Sequence, residues 1–308
     1  MIKFQPIYQT RVWGGRNLET KFGRTLPDQE NPYGESWEIS AREEADCVVV
    51  GGEYEGRSLT DLWSDSEARA AIFGADAPES ERFPLLCKIL DAQDELSIQV
   101  HPPAGIAEEL GGEPKTEVWY IAHAEPDAKL YVGVKEGVTP ESFRSALADG
   151  TAEDQVHAVT MKAGEHLFIE SGRLHAIGSG LVIYEIQQNS DTTYRVYDWN
   201  RMGLDGQPRE LHVEESMKCI DFTDVEPGPD SKDDSLLCEC EYFRLEEHTA
   251  AGSAELKEQI DGRFAILTLI EGQIGNFSAG DFWIVTAGED LSDCDVKDGR
   301  YLLTTWPK

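Results

Sequence analysis

The sequence has few basic residues for its size, and this scarcity limits the partners that it can bind. Among 308 residues there are 27 Lys and Arg against 59 Asp and Glu, which gives a formal net charge of −32 at pH 7. A surface of this charge repels the phosphates of nucleic acids and the anionic headgroups of membranes. We therefore predict neither a nucleic-acid partner nor a membrane partner. A small anionic ligand would need a pocket in which a few cations locally override the surrounding field.

Long hydrophobic runs are also missing. The first residues, MIKFQPIYQTRVWGG, show no apolar stretch behind a basic head, and nowhere do about 18 apolar residues occur together. We therefore predict neither a secretion signal nor a membrane span. The six cysteines are widely scattered, and Cys238 and Cys240 are too close together for a zinc knuckle. Scattered cysteines are typical of reduced thiols, so we predict a cytoplasmic protein.

Short hydrophobic segments divided by Gly, Pro and Asp predict a mainly β protein. The clearest are PLLCKILDA, TEVWYIAHA, KLYVGV, GLVIYEIQ and YRVYDW, which are rich in β-branched and aromatic residues. Many short strands with few helices favour an antiparallel barrel or sandwich over a parallel α/β sheet. Two helices are predicted in the N-terminal half, over residues 58–73 by their apolar spacing and over residues 139–149, where Thr139 and Pro140 form a start signal.

A segment rich in Pro, Asp and Ser, VEPGPDSKDDS, begins at residue 225 and predicts a domain boundary between residues 1–224 and 225–308. The stretches AGEHLFIESGRLH and AGDFWIVTAGEDL form a weak repeat, in which each second Gly follows the first by eight positions. Three residues past the second Gly, the first copy has His175 and the second has Leu291. We infer two related barrels, of which only the first keeps this candidate metal ligand, with a chance match of Gly-bounded strands as the alternative.

Two of the seven histidines lie in contexts that suit a metal ligand. Gln99 and His101 are two apart on a predicted strand, so their side chains project from the same face. Glu117 begins the next predicted strand, and His175 follows a tight Gly turn that enters another. Converging in a barrel, these side chains offer two imidazoles, a carboxylate and an amide oxygen. This set suits zinc, or less selectively Mn, Fe or Co, and without a thiolate it indicates a catalytic rather than a structural site.

Each of these residues also has a simpler interpretation. A single His on a strand is more often a hydrogen-bonded structural residue. Glu117 and Gln99, taken alone, are equally consistent with ordinary solvated side chains. Spacing by itself does not decide between these interpretations.

Five longer segments carry more information than any single position. They are FQPIYQTRVWGG, NPYGESWEIS, FPLLCKILDAQDELSIQVHPP, PKTEVWY and ESGRLHAIGSGLVIYEIQQNSDTTYRVYDWNR. Together they resemble the type I mannose-6-phosphate isomerases, in particular their shorter bacterial branch. The resemblance runs in order from residue 4 to about residue 215 and fades in the acidic C-terminal quarter. It implies two cupin (jelly-roll) barrels, with a catalytic cupin domain over residues 1–224 and a degenerate cupin-like domain over residues 225–308.

The resemblance also implies a set of site residues. The four candidate metal ligands, Gln99, His101, Glu117 and His175, match the family's metal-binding positions. Lys115, Glu185 and Arg195 match its active-site positions. The implied cofactor is one Zn²⁺ per chain, with other divalent transition metals as alternatives. The sequence departs from the longer branch at Thr116, where that branch has proline, and lacks its large helical insertion, but both departures leave the metal set intact.

By the same resemblance the protein is an aldose–ketose isomerase that interconverts mannose 6-phosphate and fructose 6-phosphate through a metal-stabilised enediol. This reaction removes and returns a carbon-bound proton, so it needs a group with a pKa near neutrality. Either Lys115 or Glu185 would serve, since a nearby cation lowers the pKa of a lysine and burial raises that of a glutamate. The alternative is that these two residues form an ion pair that steadies the metal site.

The predicted substrate-binding residues are Arg195, Lys115 and Trp13. Arg195 would either stabilise the developing charge of the enediol or hold the substrate phosphate. Trp13 would form an apolar wall of the sugar pocket, although core packing is the usual role of a tryptophan. Gly14 and Gly15 beside it would let the backbone approach a ligand or simply form a turn.

Two other functions stay open at this point. A non-catalytic cupin sensor or sugar-binding module would use the same metal ion and cations only to hold a ligand. A cupin oxidoreductase with Fe or Mn is less favoured, because only two histidines lie in ligand contexts. The sequence does not determine the oligomeric state, and a homo-oligomer is compatible with it.

Overall fold

The structure, a computed structural model, describes residues 1–75 and 77–307 and is mainly β. Over these residues the strands form four antiparallel sheets with short helices between them, which confirms the predicted fold class. The chain divides into two compact units. The first unit contains Met1–Ile7, Trp37–Lys88 and the residues from Ser231 onward, and the second contains Tyr8–Ser36 and Ile89–Asp230. The division at residue 224 that the sequence suggests stays a prediction.

The elements are numbered in chain order. The strands are β1 (Ile2–Lys3), β2 (Ile7–Gly15), β3 (Tyr33–Ile39), β4 (Ala41–Arg42), β5 (Ala45–Asp46), β6 (Leu85–Ala92), β7 (Ile98–Val100), β8 (Glu117–Ala124), β9 (Lys129–Val134), β10 (Val156–Thr160), β11 (His166–Ile169), β12 (His175–Ile177), β13 (Leu181–Gln188), β14 (Tyr194–Tyr197), β15 (Leu236–Glu239), β16 (Arg244–Ala250), β17 (Ala265–Ile274), β18 (Phe277–Ser278), β19 (Phe282–Val285) and β20 (Val296–Thr305). The α-helices are α1 (Asn17–Thr20), α2 (Leu59–Ser64), α3 (Ser66–Phe73), α4 (Ala104–Ala107), α5 (Pro140–Asp149), α6 (Val213–Cys219) and α7 (Ser253–Ile260), and a 3₁₀ turn covers Ala152–Gln155.

Both predicted helical segments are helical, but the first is divided. Residues 58–73 form two helices, α2 and α3, instead of one, because Asp65 leaves the helical conformation at ψ 114°. Its carboxylate accepts hydrogen bonds from the backbone N–H groups of Glu67 and Ala68. These bonds cap the N-terminus of α3, so a second helix begins at this point. The second prediction is confirmed, since α5 begins after Thr139 with a capping box and ends at Gly150 in the left-handed conformation.

The second unit contains a five-stranded sheet in the order β10, β9, β12, β7, β14. In this sheet Gln99 of β7 pairs with His175 on one side and with Arg195 on the other. Another sheet has the order β11, β8, β13, β6, β3, β2. One hydrophobic cluster includes Trp119 of β8 and Val132 of β9, so side chains from both sheets share a core.

The alternation of side chains along β8 explains how a carboxylate comes to lie beside this core. Glu117, Trp119 and Ile121 are two residues apart and therefore share a face of the strand. Trp119 and Ile121 belong to the hydrophobic cluster, and Glu117 is fully buried. The same argument applies to Glu185 on β13, which pairs with Trp119 and is 3% exposed.

The first unit has its own sheet and core. Its sheet has the order β1, β19, β17, β20, β16, β15, with β18 paired to β17, and Leu267, Trp283 and Leu303 are among its buried core residues. Leu291, which stands where the first copy of the sequence repeat has His175, is 2% exposed and belongs to this core. The four glycines of the two copies all have positive φ, between 72° and 99°, a conformation that favours glycine at these positions.

The structure also bears on two predictions from composition, the absence of a membrane span and the reduced state of the cysteines. No helix among the described residues is long and apolar enough to cross a membrane. In the same part of the chain, none of the six cysteines is in a disulfide, and Cys47, Cys87 and Cys219 are buried.

Strand β2 passes so close to β3 that residue 14 has no room for a side chain. A Cβ atom on Gly14 would lie 2.3 Å from the backbone nitrogen of Gly34. We expect Gly14→Ala to lower the free energy of unfolding by about 1–3 kcal/mol, the usual cost of extra atoms in a packed region. Denaturant unfolding measures this, with Gly105→Ala as the control, because a Cβ there meets no atom within 4 Å. Equal stability of Gly14→Ala and the wild type would contradict the prediction.

Candidate metal and active site

The second unit brings the four predicted metal ligands together. Gln99 lies on β7, His101 follows directly after this strand, and His175 begins β12 opposite Gln99. The side-chain nitrogen of Gln99 is 3.3 Å from Nε2 of His175. Glu117 approaches from β8, and its carboxylate oxygens lie 3.5 Å from Nε2 of His101 and 3.8 Å from Nε2 of His175.

The chemistry of this cluster fits a divalent metal ion. The ligand atoms of His101, Glu117 and His175 lie within 4.8 Å of one another, and all three side chains are buried. Nδ1 of His101 is 2.9 Å from the carbonyl of Thr192, and Nδ1 of His175 is 2.8 Å from the carbonyl of Arg173. Because a carbonyl only accepts, each Nδ1 carries the proton and each Nε2 keeps its lone pair for a cation. Among the described residues, Nε2 of His101 has no hydrogen-bond partner.

Gln99 completes the set through its amide group. Its oxygen accepts a hydrogen bond from Oγ of Ser97 at 3.2 Å, while its nitrogen lies beside His175. The two ends of an amide have nearly the same shape, so a half-turn of the group places the oxygen beside His175 instead. The role of Gln99 as a ligand stays a prediction.

The charges of the site also suit a cation. Burial lowers the pKa of His101 and that of His175, the latter to about 3, so both imidazoles are neutral at pH 7. Burial raises the pKa of Glu117, but the positive charge of Lys115 outweighs this effect and holds the pKa well below its ordinary value. The site therefore presents two neutral imidazoles and an ionised carboxylate, which are the forms that bind metals.

Lys115 and Glu185 lie directly beside the candidate metal ligands. Nζ of Lys115 is 2.8 Å from Oε2 of Glu117 and 3.7 Å from Oε1 of Glu185. The other oxygen of Glu185 accepts a hydrogen bond from the indole N–H of Trp119 at 3.2 Å. Burial lowers the pKa of Lys115, but the two carboxylates outweigh it and raise the pKa above its ordinary value. The expected fall of this pKa toward neutrality depended on an adjacent metal ion, and it stays a prediction.

Arg195 connects to Gln99, one of the candidate ligands, through a hydroxyl group. It lies on β14 opposite Gln99, and its Nε donates to Oγ of Ser97 at 3.3 Å, the same hydroxyl that donates to Gln99. One of its terminal nitrogens donates to the carbonyl of Glu210 at 2.9 Å. This contact places the guanidinium group of Arg195 beside Arg209, the residue before Glu210. Burial lowers the pKa of Arg195, and the nearby guanidinium of Arg209 lowers it further.

Sequence reasoning missed a group of arginines around Arg195. The buried carboxylate of Asp198 lies 3.0 Å from a nitrogen of Arg201 and 2.5 Å from a nitrogen of Arg209. Arg201 also lies 3.4 Å from the exposed carboxylate of Asp94. Three guanidiniums against two carboxylates leave one positive charge in a chain whose net charge is −32. The recurrence of Arg at 195, 201 and 209 was the available signal, but strand and turn patterns do not show that these side chains converge.

Trp13 is placed differently from the other predicted site residues. It is 3% exposed and belongs to the same hydrophobic cluster as Trp119 and Leu130. Its surroundings are those of a core residue, and its role as a wall of the sugar pocket stays a prediction.

The fold and the site together define a metal-binding protein of the cupin class. A sequence model of the phosphomannose isomerase type I catalytic domain matches residues 1–113. Mannose-6-phosphate isomerase ManA of Bacillus subtilis is 37% identical over 288 residues, which cover 91% of this chain and 88% of that protein. Mannose-6-phosphate isomerase of Streptococcus mutans is 35% identical over 283 residues, with 90% and 86% covered. The crystal structure of mannose 6-phosphate isomerase from B. subtilis superposes with a TM-score of 0.80 at 30% identity and covers 98% of each chain.

The chain therefore belongs to the type I phosphomannose isomerase family, and it is an isomerase. This confirms the resemblance found in the five sequence segments. A non-catalytic sugar-binding or sensor protein, which the sequence left open, is not favoured by these relatives.

Proposed function

We propose that this chain interconverts mannose 6-phosphate and fructose 6-phosphate in the cytoplasm, with one Zn²⁺ held by Gln99, His101, Glu117 and His175. The observation that carries the proposal is the position of Lys115, whose ammonium group contacts Glu117 and faces Glu185. The candidates for proton transfer thus lie directly beside the metal ligands. A protein that only binds sugar has no need of a buried Lys and Glu at this position.

The reaction assigns different tasks to these two residues. Moving a carbonyl between C1 and C2 of a sugar removes a carbon-bound proton and passes through an enediol with strongly basic oxygens. A divalent cation in this site would act as a Lewis acid toward that charge. Lys115 faces the carboxylates of Glu117 and Glu185, which favour its ammonium form, so we assign it to supply positive charge toward the enediol. We therefore assign proton removal to Glu185, whose carboxylate is oriented by the indole N–H of Trp119.

The group of arginines supports a phosphorylated substrate. Its excess positive charge lies at Arg195, Arg201 and Arg209, in a protein whose bulk field repels anions. Guanidinium groups bind phosphate through paired hydrogen bonds, and Asp198 fixes the planes of Arg201 and Arg209 for this purpose. Arg195, which is linked to Gln99 through Ser97, is closer to the metal ligands along this hydrogen-bond chain and is assigned to the enediol charge.

A coupled assay with mannose 6-phosphate, with and without a chelator, tests this function. We expect turnover by the metal-loaded protein, loss of turnover after dialysis against the chelator, and recovery when Zn²⁺ is added back. Mannose without its phosphate is the matched control substrate. It should react poorly, since it lacks the phosphate group that the arginines are proposed to bind. Full activity in a preparation that elemental analysis shows to be free of metal would contradict the proposal.

A further inference from the structure

One turn, residues 171–175, contacts both imidazole ligands. The backbone N–H of Gly172 donates to the carbonyl of His101 at 2.9 Å. The carbonyl of the next residue, Arg173, accepts from Nδ1 of His175 at 2.8 Å. The turn therefore fixes the backbone of His101 and the imidazole ring of His175. The position of the Arg173 peptide group determines where Nε2 of His175 points.

The side chain of Arg173 holds this turn in place through hydrogen bonds to two groups. Its Nε and one terminal nitrogen form a two-bond fork with the carboxylate of Asp224, at 2.9 and 3.1 Å. Its other terminal nitrogen donates to the carbonyl of Phe168 at 2.6 Å. Both side chains of the pair are mostly buried, with 19% and 15% exposed. Asp224 is in turn fixed to the five-stranded sheet, because its carbonyl accepts from the N–H of Val134 at 3.0 Å.

We propose that Arg173 and Asp224 are a positioning pair that sets the affinity of the site for its metal ion. The inference rests on the proposed function, since it takes His175 as a ligand. A group that accepts a hydrogen bond from the second nitrogen of a ligand histidine fixes both its tautomer and its ring orientation. Here that group is a backbone carbonyl, and the fork to Asp224 keeps the carbonyl within reach of Nδ1. Without the fork, the turn gains freedom and His175 loses its fixed orientation.

Metal affinity measured on the full chain tests the pair. We expect Arg173→Ala and Asp224→Asn to raise the dissociation constant for Zn²⁺ by about 10–100-fold, in competition with a chromophoric chelator. Arg173→Lys keeps the charge but cannot form the fork, so it should weaken Zn²⁺ binding as well. The matched control is the fork between Arg144 and Glu214, at 2.5 and 3.1 Å, which is exposed. Arg144→Ala should leave the dissociation constant unchanged.

A spectroscopic measurement separates positioning from simple stabilisation of the fold. With Co²⁺ in place of Zn²⁺, the visible absorption bands report the coordination geometry. We expect these bands to shift in Arg173→Lys and to stay at their wild-type positions in Arg144→Ala. A purely structural role would lower the unfolding temperature and leave both the bands and the dissociation constant as in the wild type.

The outcomes separate this inference from the proposed function. Wild-type Zn²⁺ affinity and wild-type Co²⁺ bands in both Arg173→Lys and Asp224→Asn would overturn the positioning role. These two variants also decide the matter if Arg173→Ala does not fold. A wild-type chain that binds no Zn²⁺ would instead remove the metal assignment, on which the inference depends. Weakened binding in the pair, with an unchanged control, supports it.

Discussion

Replacing either His101 or His175 by alanine is expected to abolish metal retention and isomerase turnover together. Both imidazoles are fully buried, and each presents Nε2 toward Glu117 at 3.5 and 3.8 Å. Removing one takes away one of the only two nitrogen ligands in the proposed set and leaves an amide oxygen, a carboxylate and a single imidazole, which is a weaker set for zinc. The zinc content after gel filtration and the turnover of mannose 6-phosphate measure the two losses.

A histidine outside the candidate metal site serves as the control for this prediction. His123 lies in the same unit, on β8, and its Nε2 is 2.9 Å from the exposed carboxylate of Glu125. We expect His123→Ala to retain both its metal and its turnover. Undiminished turnover in a His175→Ala variant that binds no metal would show that the reaction does not need the metal ion.

Arg195→Ala is expected to reduce kcat by about 100-fold or more, because loss of one preorganised donor to a developing oxyanion costs this much. Arg195 shares the hydroxyl of Ser97 with Gln99, so its guanidinium belongs to the same hydrogen-bond chain as the metal ligands. Steady-state measurement of kcat and KM, each determined separately, checks the prediction. The metal content of the variant should equal that of the wild type.

The same measurement distinguishes the two roles that the sequence left open for Arg195. A loss confined to KM would assign it to ground-state binding of the phosphate instead of to the enediol charge. Arg209, held by Asp198, provides the contrast, since we expect Arg209→Ala to raise KM and largely preserve kcat. Arg144→Ala, which removes an exposed arginine in the same unit, should change neither constant.

Much of the fold could be predicted because it depends on local patterns. The strands follow short β-branched and aromatic runs, and α5 follows the start signal at Thr139 and Pro140. The division of residues 58–73 into two helices was not predicted, since the apolar spacing continues through Asp65. The side chain of Asp65 caps a new helix instead of continuing the first, and hydrophobic periodicity alone does not reveal such a cap.

The convergence of the four candidate ligands could be predicted from the sequence, but the contacts around them could not. His101 and Glu117 come from separate strands, and the long sequence motifs were needed to choose them over ordinary polar residues. The sequence left open whether Lys115 and Glu185 form an ion pair, and it did not show that Glu117 also faces the ammonium group of Lys115. The fork between Arg173 and Asp224 joins residues 51 positions apart, which no local pattern indicates.

The contact between Lys115 and Glu117 also has a consequence for folding. A buried carboxylate with no counter-charge strongly opposes folding. The ammonium group at 2.8 Å supplies that counter-charge from within the chain. The polypeptide thus carries within its own sequence the counter-charge that lets this carboxylate be buried, so neutralising Lys115 is expected to destabilise the fold as well as the site.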